Sequence, residues 1–449
     1  MKRLFERIRL NSFQIIILGF SAVILIGALL LMLPIAKNGR GHADFMEALF
    51  TSTSAVCVTG LVVQDTATYW SRFGQTVILC LIQIGGMGVV TAAVAFAMVS
   101  GRRIGLMQRS TLQEAISAHH IGGVVKLTGF IIKATLRIEL IGAVLLGICF
   151  IGDMGFFDGM RYGIFHSVSA FCNAGFDLMG VNAQYSSLTS YARHPLVNLI
   201  IMALIITGGI GFLTWEDITT NRHNLHAYRM QSKVILSTTF ILILLPALFF
   251  YFCEFSRAEW AHLPLGERAL AALFQSVTPR TAGFNTVNLA EFSETSQFLI
   301  IILMLVGGSP GSTAGGMKTT TLAVLFLSAL AVCRRREITR CFGRRIEADT
   351  VRSAATILML YLMLFLPGGM IISWVEGLPL LTCLFEAASA IGTVGLTLGI
   401  TPTLGYVSRI VLIVLMFMGR VGGLTLIFAA ASGTRPYAAK LPKEKITVG

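Results

Sequence analysis

Four short stretches of this chain share a pattern whose chemistry lies in the backbone. They are Gly392-Thr393-Val394-Gly395-Leu396, Val58-Thr59-Gly60-Leu61, Asn173-Ala174-Gly175-Phe176 and Thr281-Ala282-Gly283-Phe284. Each sets one glycine between small or polar neighbours, after a Ser/Thr/Ala-rich run that starts from a Phe. Glycine reaches positive φ and leaves its carbonyl free of a side chain. Carbonyl oxygens aimed at a common axis can replace the hydration shell of a potassium ion. The residues that would supply them are Val58, Thr59 and Gly60; Asn173, Ala174 and Gly175; Thr281, Ala282 and Gly283; and Thr393, Val394 and Gly395. The metal expected at this chain is potassium held by those carbonyls.

A lone copy would be read as an ordinary turn. Four copies need four elements to position them, and the spacing shows what these are. Gly60, Gly175, Gly283 and Gly395 are separated by 115, 108 and 112 residues, a near-constant period that marks one unit copied four times. Full-length apolar runs fall at about 13–34, 76–100, 128–151, 196–220, 232–253, 297–331, 353–375 and 407–432. Between the members of each pair lies a shorter segment, at 44–57, 161–172, 268–279 and 380–391. Roughly 20 apolar residues cross a bilayer and about 12 do not, so the short segments fit re-entrant helices. The predicted fold is an all-α polytopic membrane protein of four span–pore helix–span repeats around one central pore. It has eight transmembrane helices and four pore helices, divided as 1–100, 101–220, 221–350 and 351–449. Each pore helix aims its C-terminal end, with its partial negative charge, at the cavity. Irregular backbone inside a bilayer is tolerated only where protein buries it or water lines it.

Composition supports that reading. The chain is 55% hydrophobic and 13% charged, with a mean hydropathy of +0.77, which excludes a water-soluble protein. The run from Phe13 to Pro34 is too long for a signal-peptide core and reads as a retained span. Eight scattered cysteines without a C-x-x-C pair behave as small hydrophobes. The net charge of +13 is not a nucleic-acid footprint, because the basic residues cluster in alternate loops and the acidic ones favour the others. Cytoplasmic loops are enriched in Lys and Arg, so both termini are expected in the cytoplasm.

The sixth apolar run is interrupted by Gly307, Gly308, Ser309, Pro310, Gly311, Ser312, Thr313, Ala314, Gly315 and Gly316, followed by Met317 and Lys318. Five glycines and a proline cannot continue a regular helix. The segment must unwind inside the bilayer, beneath the glycine loops, where it can obstruct permeation until it moves. Gly311, Gly316, Lys318 and Thr319 resemble a phosphate-binding loop only superficially, since the lysine comes one residue late and no strand precedes it. Lys318 is an intramembrane charge, and Arg420, near the middle of the last span, is another. Snorkelling competes with a pore role for Lys318, and pairing with a carboxylate or helix carbonyls competes with one for Arg420. His119-His120 has no spaced partner, and Arg334 to Arg345 anchors a span or touches lipid head groups or a partner.

Thr393-Val394-Gly395 matches the core of the potassium-channel filter signature. Together with Gln83-Ile84-Gly85-Gly86, Thr278 to Asn285 and Phe385-Glu386 through Thr397, it resembles the Trk/Ktr/HKT superfamily of potassium transporters over nearly the whole chain. With eight spans, the similarity is to the bacterial Ktr membrane-subunit branch. The resemblance implies potassium uptake across the bacterial cell membrane through one glycine loop per repeat, and an intramembrane gate at 307–317. It also implies a basic residue at position 420 that faces the pore. Gly60 stands where sodium-preferring relatives carry serine, which favours potassium. The implied partners are membrane lipid, a second copy in a homodimer, and a cytosolic ring of nucleotide-binding regulatory subunits. No cofactor is expected on this chain; ATP, ADP or NAD is expected on the regulatory partner only. Possible sodium dependence stays open. The rival reading is a secondary transporter of another cation or small solute, with a midplane site at the broken helix; the direct fourfold repeat disfavours it. An enzyme is not expected, since no nucleophile–base constellation is present.

Overall fold

A computed structural model describes residues 11–100, 105–115, 123–222 and 224–422. His119-His120 and the basic residues of both termini lie outside these. Four long apolar helices open the four repeats: Ser12–Leu31, Val124–Met154, Met230–Phe249 and Ala348–Glu376. The third continues through a π-turn at Phe250–Glu254, just after Pro246 removes a backbone donor. These helices turn apolar side chains outward, with Leu140, Phe240, Met370 and Trp374 all largely exposed. The interior is an apolar core with buried Ser and Thr among it, many of them on the short helices. Apolar side chains on the outside as well as the inside suit a chain solvated by lipid.

Each long helix is followed by a shorter one: Phe45–Cys57, Phe156–Phe171, Leu265–Val277 and Leu380–Gly392. Asp44 caps the first through a reciprocal box with Glu47. The second begins five residues before the expected 161, because Gly155 turns the chain sharply at φ 77°.

The returning spans depart from expectation. The sequence predicts one broken span; among the described residues the structure breaks the first three. Arg72–Met87 and Val89–Val99 meet at 97° across Gly88, and Pro195–Ile210 and Phe212–Asn221 at 95° across Gly211. In the third repeat Glu294–Leu305 and Thr319–Cys333 are separated by the long loop, and Tyr406–Val421 ends at Gly422. Gly88, Gly211 and Gly422 share the same conformation, near φ 90° and ψ 135°. A glycine there turns the helix without side-chain strain. The described residues hold one small sheet, the hairpin Arg340–Cys341 with Arg344–Arg345, in the basic loop between the third and fourth repeats.

Candidate functional site: a ring of backbone carbonyls

The four glycine loops follow the C-terminal ends of the four short helices and share one backbone course. The first residue is left-handed: Val58 at φ 58°, Asn173 at 60°, Thr281 at 66° and Thr393 at 51°. A residue of negative φ follows, and then a left-handed glycine: Gly60 at 91°, Gly175 at 68°, Gly283 at 82° and Gly395 at 94°. Left-handed backbone at a β-branched residue is rare. Three of these four first residues are β-branched, and such strain is held only where the surroundings over-determine it.

The loops close on one another in chain order. A Cβ added at Gly60 would stand less than 3.0 Å from the Ala174 carbonyl oxygen, at Gly175 from that of Ala282, at Gly283 from that of Val394, and at Gly395 from that of Thr59. Each glycine therefore presses on the carbonyl preceding the next repeat's glycine, and the fourth returns to the first. All eight non-glycine members of the ring are fully buried. Helix ends hold the loops from behind. Ser54 Oγ accepts from the Gly60 N–H at 3.1 Å and Ser389 Oγ from the Gly395 N–H at 3.0 Å. In the other two repeats, Ser169 and Thr278 donate to the carbonyls of Phe176 and Phe284, at 2.7 and 2.5 Å.

The glycine pairs of the returning spans let helix meet loop. A Cβ at Gly85, Gly208 or Gly419 would collide with the carbonyl of Val56, Phe171 or Ile391 respectively. Such close approach packs each of these spans against the end of a short helix.

A cavity of about 160 Å³ opens on one side of the ring, lined by all four ring glycines with Asp65, Asp177, Tyr185, Asn285 and Thr397. A second, of about 290 Å³, lies among the breaks of the returning spans. Its lining includes Gly88, Gly311, Ser312, Lys318, Tyr361 and Arg420.

The loop at 307–317 lies between this second cavity and the ring. Its ends pair through Val306 and Met317 as a parallel bridge, with the Gly307 N–H on the Met317 carbonyl at 2.7 Å. Ser309 donates its N–H to the Gly209 carbonyl at 2.9 Å, and the Gly311 carbonyl accepts from the Phe212 N–H at 2.8 Å. Thr313 Oγ1 donates to the Phe171 carbonyl at 2.9 Å, and a Cβ at Gly315 would strike the Thr393 side chain. The loop thus touches the second and fourth ring loops directly.

The two cations singled out in the sequence both bond to this loop. Lys318 folds back so that Nζ donates to the carbonyls of Ala314 and Gly315, at 2.9 and 3.3 Å. Arg420 donates to the Thr313 carbonyl at 2.5 Å and to those of Gly85 and Gly86, at 2.5 and 3.4 Å. It is a strut between the loop and the break in the first repeat's returning span, as well as a wall of the cavity. Sequence reasoning missed Asn173 as a tie across repeats: its Nδ2 donates to the Arg280 carbonyl at 3.3 Å and to Thr281 Oγ1 at 3.4 Å. A polar residue where the other repeats carry Val or Thr was the available signal.

A closed ring of backbone carbonyls between two cavities, inside a frame of apolar helices, defines a polytopic membrane protein with a backbone-lined site on its axis. The chain belongs to the TrkH cation transport protein family, whose family model matches residues 3–435, and it is a transporter and not an enzyme. The potassium/sodium uptake protein NtpJ of Enterococcus hirae is 38% identical over 449 residues, which cover 99% of this chain and 98% of that one. The Ktr system potassium uptake protein B of Bacillus subtilis is 40% identical over 425 residues, 94% of each chain. The solved potassium transporter TrkH of Vibrio parahaemolyticus shares the fold, with a TM-score of 0.73 over 93% of this chain and 84% of that one, at 20% identity.

Proposed function

We propose that this chain takes up potassium across the bacterial cell membrane through the carbonyl ring at Val58–Gly60, Asn173–Gly175, Thr281–Gly283 and Thr393–Gly395. The observation that carries this reading is the closure of the four loops in chain order, each glycine on the next repeat's carbonyl. A dehydrated monovalent cation needs many oxygens at one radius, and carbonyls meet that need without fixed charge. With few polar layers available, the ring is a short filter. The loop at 307–317 is the gate, held against the ring by Thr313 and against two neighbouring spans by Ser309, Gly311 and Arg420. Lys318 and Arg420 add positive charge to the inner cavity and temper cation flux.

The relatives named for the Ktr system support a partner in control of that gate. In this reading, a cytosolic ring of nucleotide-binding subunits carries a homodimer of this chain, with both termini on the cytoplasmic side. The test is rubidium uptake in a bacterium lacking its own potassium uptake, with and without sodium, alongside growth at low potassium. Growth rescue and uptake by the unaltered chain, with loss of both in Gly283→Asp at equal membrane abundance, is the expected result. Undiminished uptake in that variant would overturn the ring assignment.

A further inference from the structure

Behind each ring loop, one position on the short helix carries a buried polar side chain. These are Thr51, His166, Gln275 and Glu386, nine residues before the ring glycine in the first, second and fourth repeats and eight in the third. Three of them reach forward to the chain just past the glycine. Glu386, fully buried, accepts from the hydroxyl of Thr397 and, at 2.9 Å, from that of Thr401. His166 accepts the Leu178 N–H on Nε2 at 3.4 Å while its Nδ1 lies 2.8 Å from the Tyr162 carbonyl. Those two bonds together require the neutral ring with its proton on Nδ1. Gln275 Nε2 donates to Thr286 Oγ1 at 3.4 Å. Thr51 Oγ1 has no hydrogen-bond partner among the described residues.

We infer that Glu386, His166 and Gln275 are positioning residues of the ring, tying the outgoing chain of each loop to its short helix and so fixing the distance of the carbonyls from the axis. This rests on the proposed filter. The need for such ties follows from the backbone, since a loop with two left-handed positions relaxes unless both its ends are held. The helix-end hydroxyls hold the chain at the glycine or one residue past it, and these side chains hold it two to six residues past the glycine. The ties differ between repeats: the Glu386 carboxyl group takes two hydroxyls, His166 and Gln275 each make one bond of 3.4 Å, and Thr51 makes none among the described residues. A carbonyl ring discriminates between cations only while its geometry is held to a fraction of an ångström.

The experiment measures rubidium uptake and its inhibition by sodium in membrane vesicles, at matched abundance of the full chain. Glu386→Ala is expected to let sodium compete at about tenfold lower concentration, the scale set by losing two buried hydrogen bonds. Thr397→Val with Thr401→Val breaks the same bonds from the other end, so the inference stays testable if Glu386→Ala does not reach the membrane. The triple variant should add less than about twofold, because the three groups act as one unit. Glu386→Gln, which keeps an acceptor, should recover part of the discrimination, and Thr51→Val should change nothing. Unaltered sodium competition in both Glu386→Ala and the double threonine variant, while Gly395→Ala changes it, would overturn the positioning role. Unaltered competition in Gly395→Ala as well would instead remove the filter reading on which it rests.

Discussion

At the scale of single residues, the site is made of conformation more than of functional groups. The ring glycines sit where a Cβ meets another repeat's carbonyl, and at φ values an L residue takes only at a cost of about 1–2 kcal/mol. Gly283→Ala therefore combines backbone strain with a collision on the Val394 carbonyl. The expected outcome is at least a tenfold fall in rubidium uptake, with the protein still present in the membrane by immunoblot. A titratable side chain also bears on the same site. Asp177, in the loop that lines the smaller cavity, has its carboxyl pushed up to about 7 by burial, with the nearby Asp65 adding to the effect. Above that pH the group is charged and draws cations to the ring; as pH falls through about 7 it takes up a proton and the attraction goes. Half-saturation for rubidium should rise between external pH 8 and pH 6, and Asp177→Asn should flatten that dependence at the weaker, low-pH value.

At the scale of elements, the third repeat shows what the proposed gate displaces in ordinary helix. The first two returning spans turn through a right angle at a single glycine, whereas the third inserts a loop bonded on three sides. Each charge-assisted hydrogen bond contributes on the order of 1.5–3 kcal/mol, so releasing one shifts an open–closed balance by a factor of about ten or more. Arg420→Gln, which loses the charged donor to Thr313, should raise basal flux by that order; shortening the loop within 309–315 should raise it further. Both are read as rubidium leak from loaded proteoliposomes, and wild-type leak in the shortened loop would count against gating. The loop was legible in the sequence because five glycines and a proline in an apolar run leave no helical alternative. The right-angle breaks at Gly88 and Gly211 were not, since one glycine inside a long apolar stretch is equally compatible with close helix packing, which neighbouring Gly85 and Gly208 do provide. The ring positions were legible from their period. For Arg420, bonding to carbonyls was one of the readings open in the sequence, but which carbonyls was hidden because they lie more than a hundred residues away along the chain.

At the scale of the whole molecule, one consequence of the ring is thermodynamic. Its oxygens come from all four repeats, and each of the four contacts joins segments more than a hundred residues apart. A cation that binds this ring binds only the assembled chain, because an unfolded or partly separated chain has no four carbonyls at one radius. Mass action then makes the ion a stabiliser of the entire fold, by about 2.7 kcal/mol at a hundred times its dissociation constant. The size of the effect must follow selectivity, since an ion that fits the ring poorly binds it weakly and stabilises little. Purified protein in detergent should accordingly unfold at a higher temperature in potassium or rubidium chloride than in sodium chloride. It should unfold lowest when a bulky organic cation replaces both at the same ionic strength, which holds general screening constant. The increment should saturate with potassium concentration, whereas a nonspecific salt effect grows without a plateau. Gly283→Ala should lower the starting temperature and lose the potassium increment, while Lys318→Met, altered in the inner cavity and away from the ring carbonyls, should keep it. Equal melting temperatures in potassium and in the organic cation would show that the four loops meet without forming a cation site.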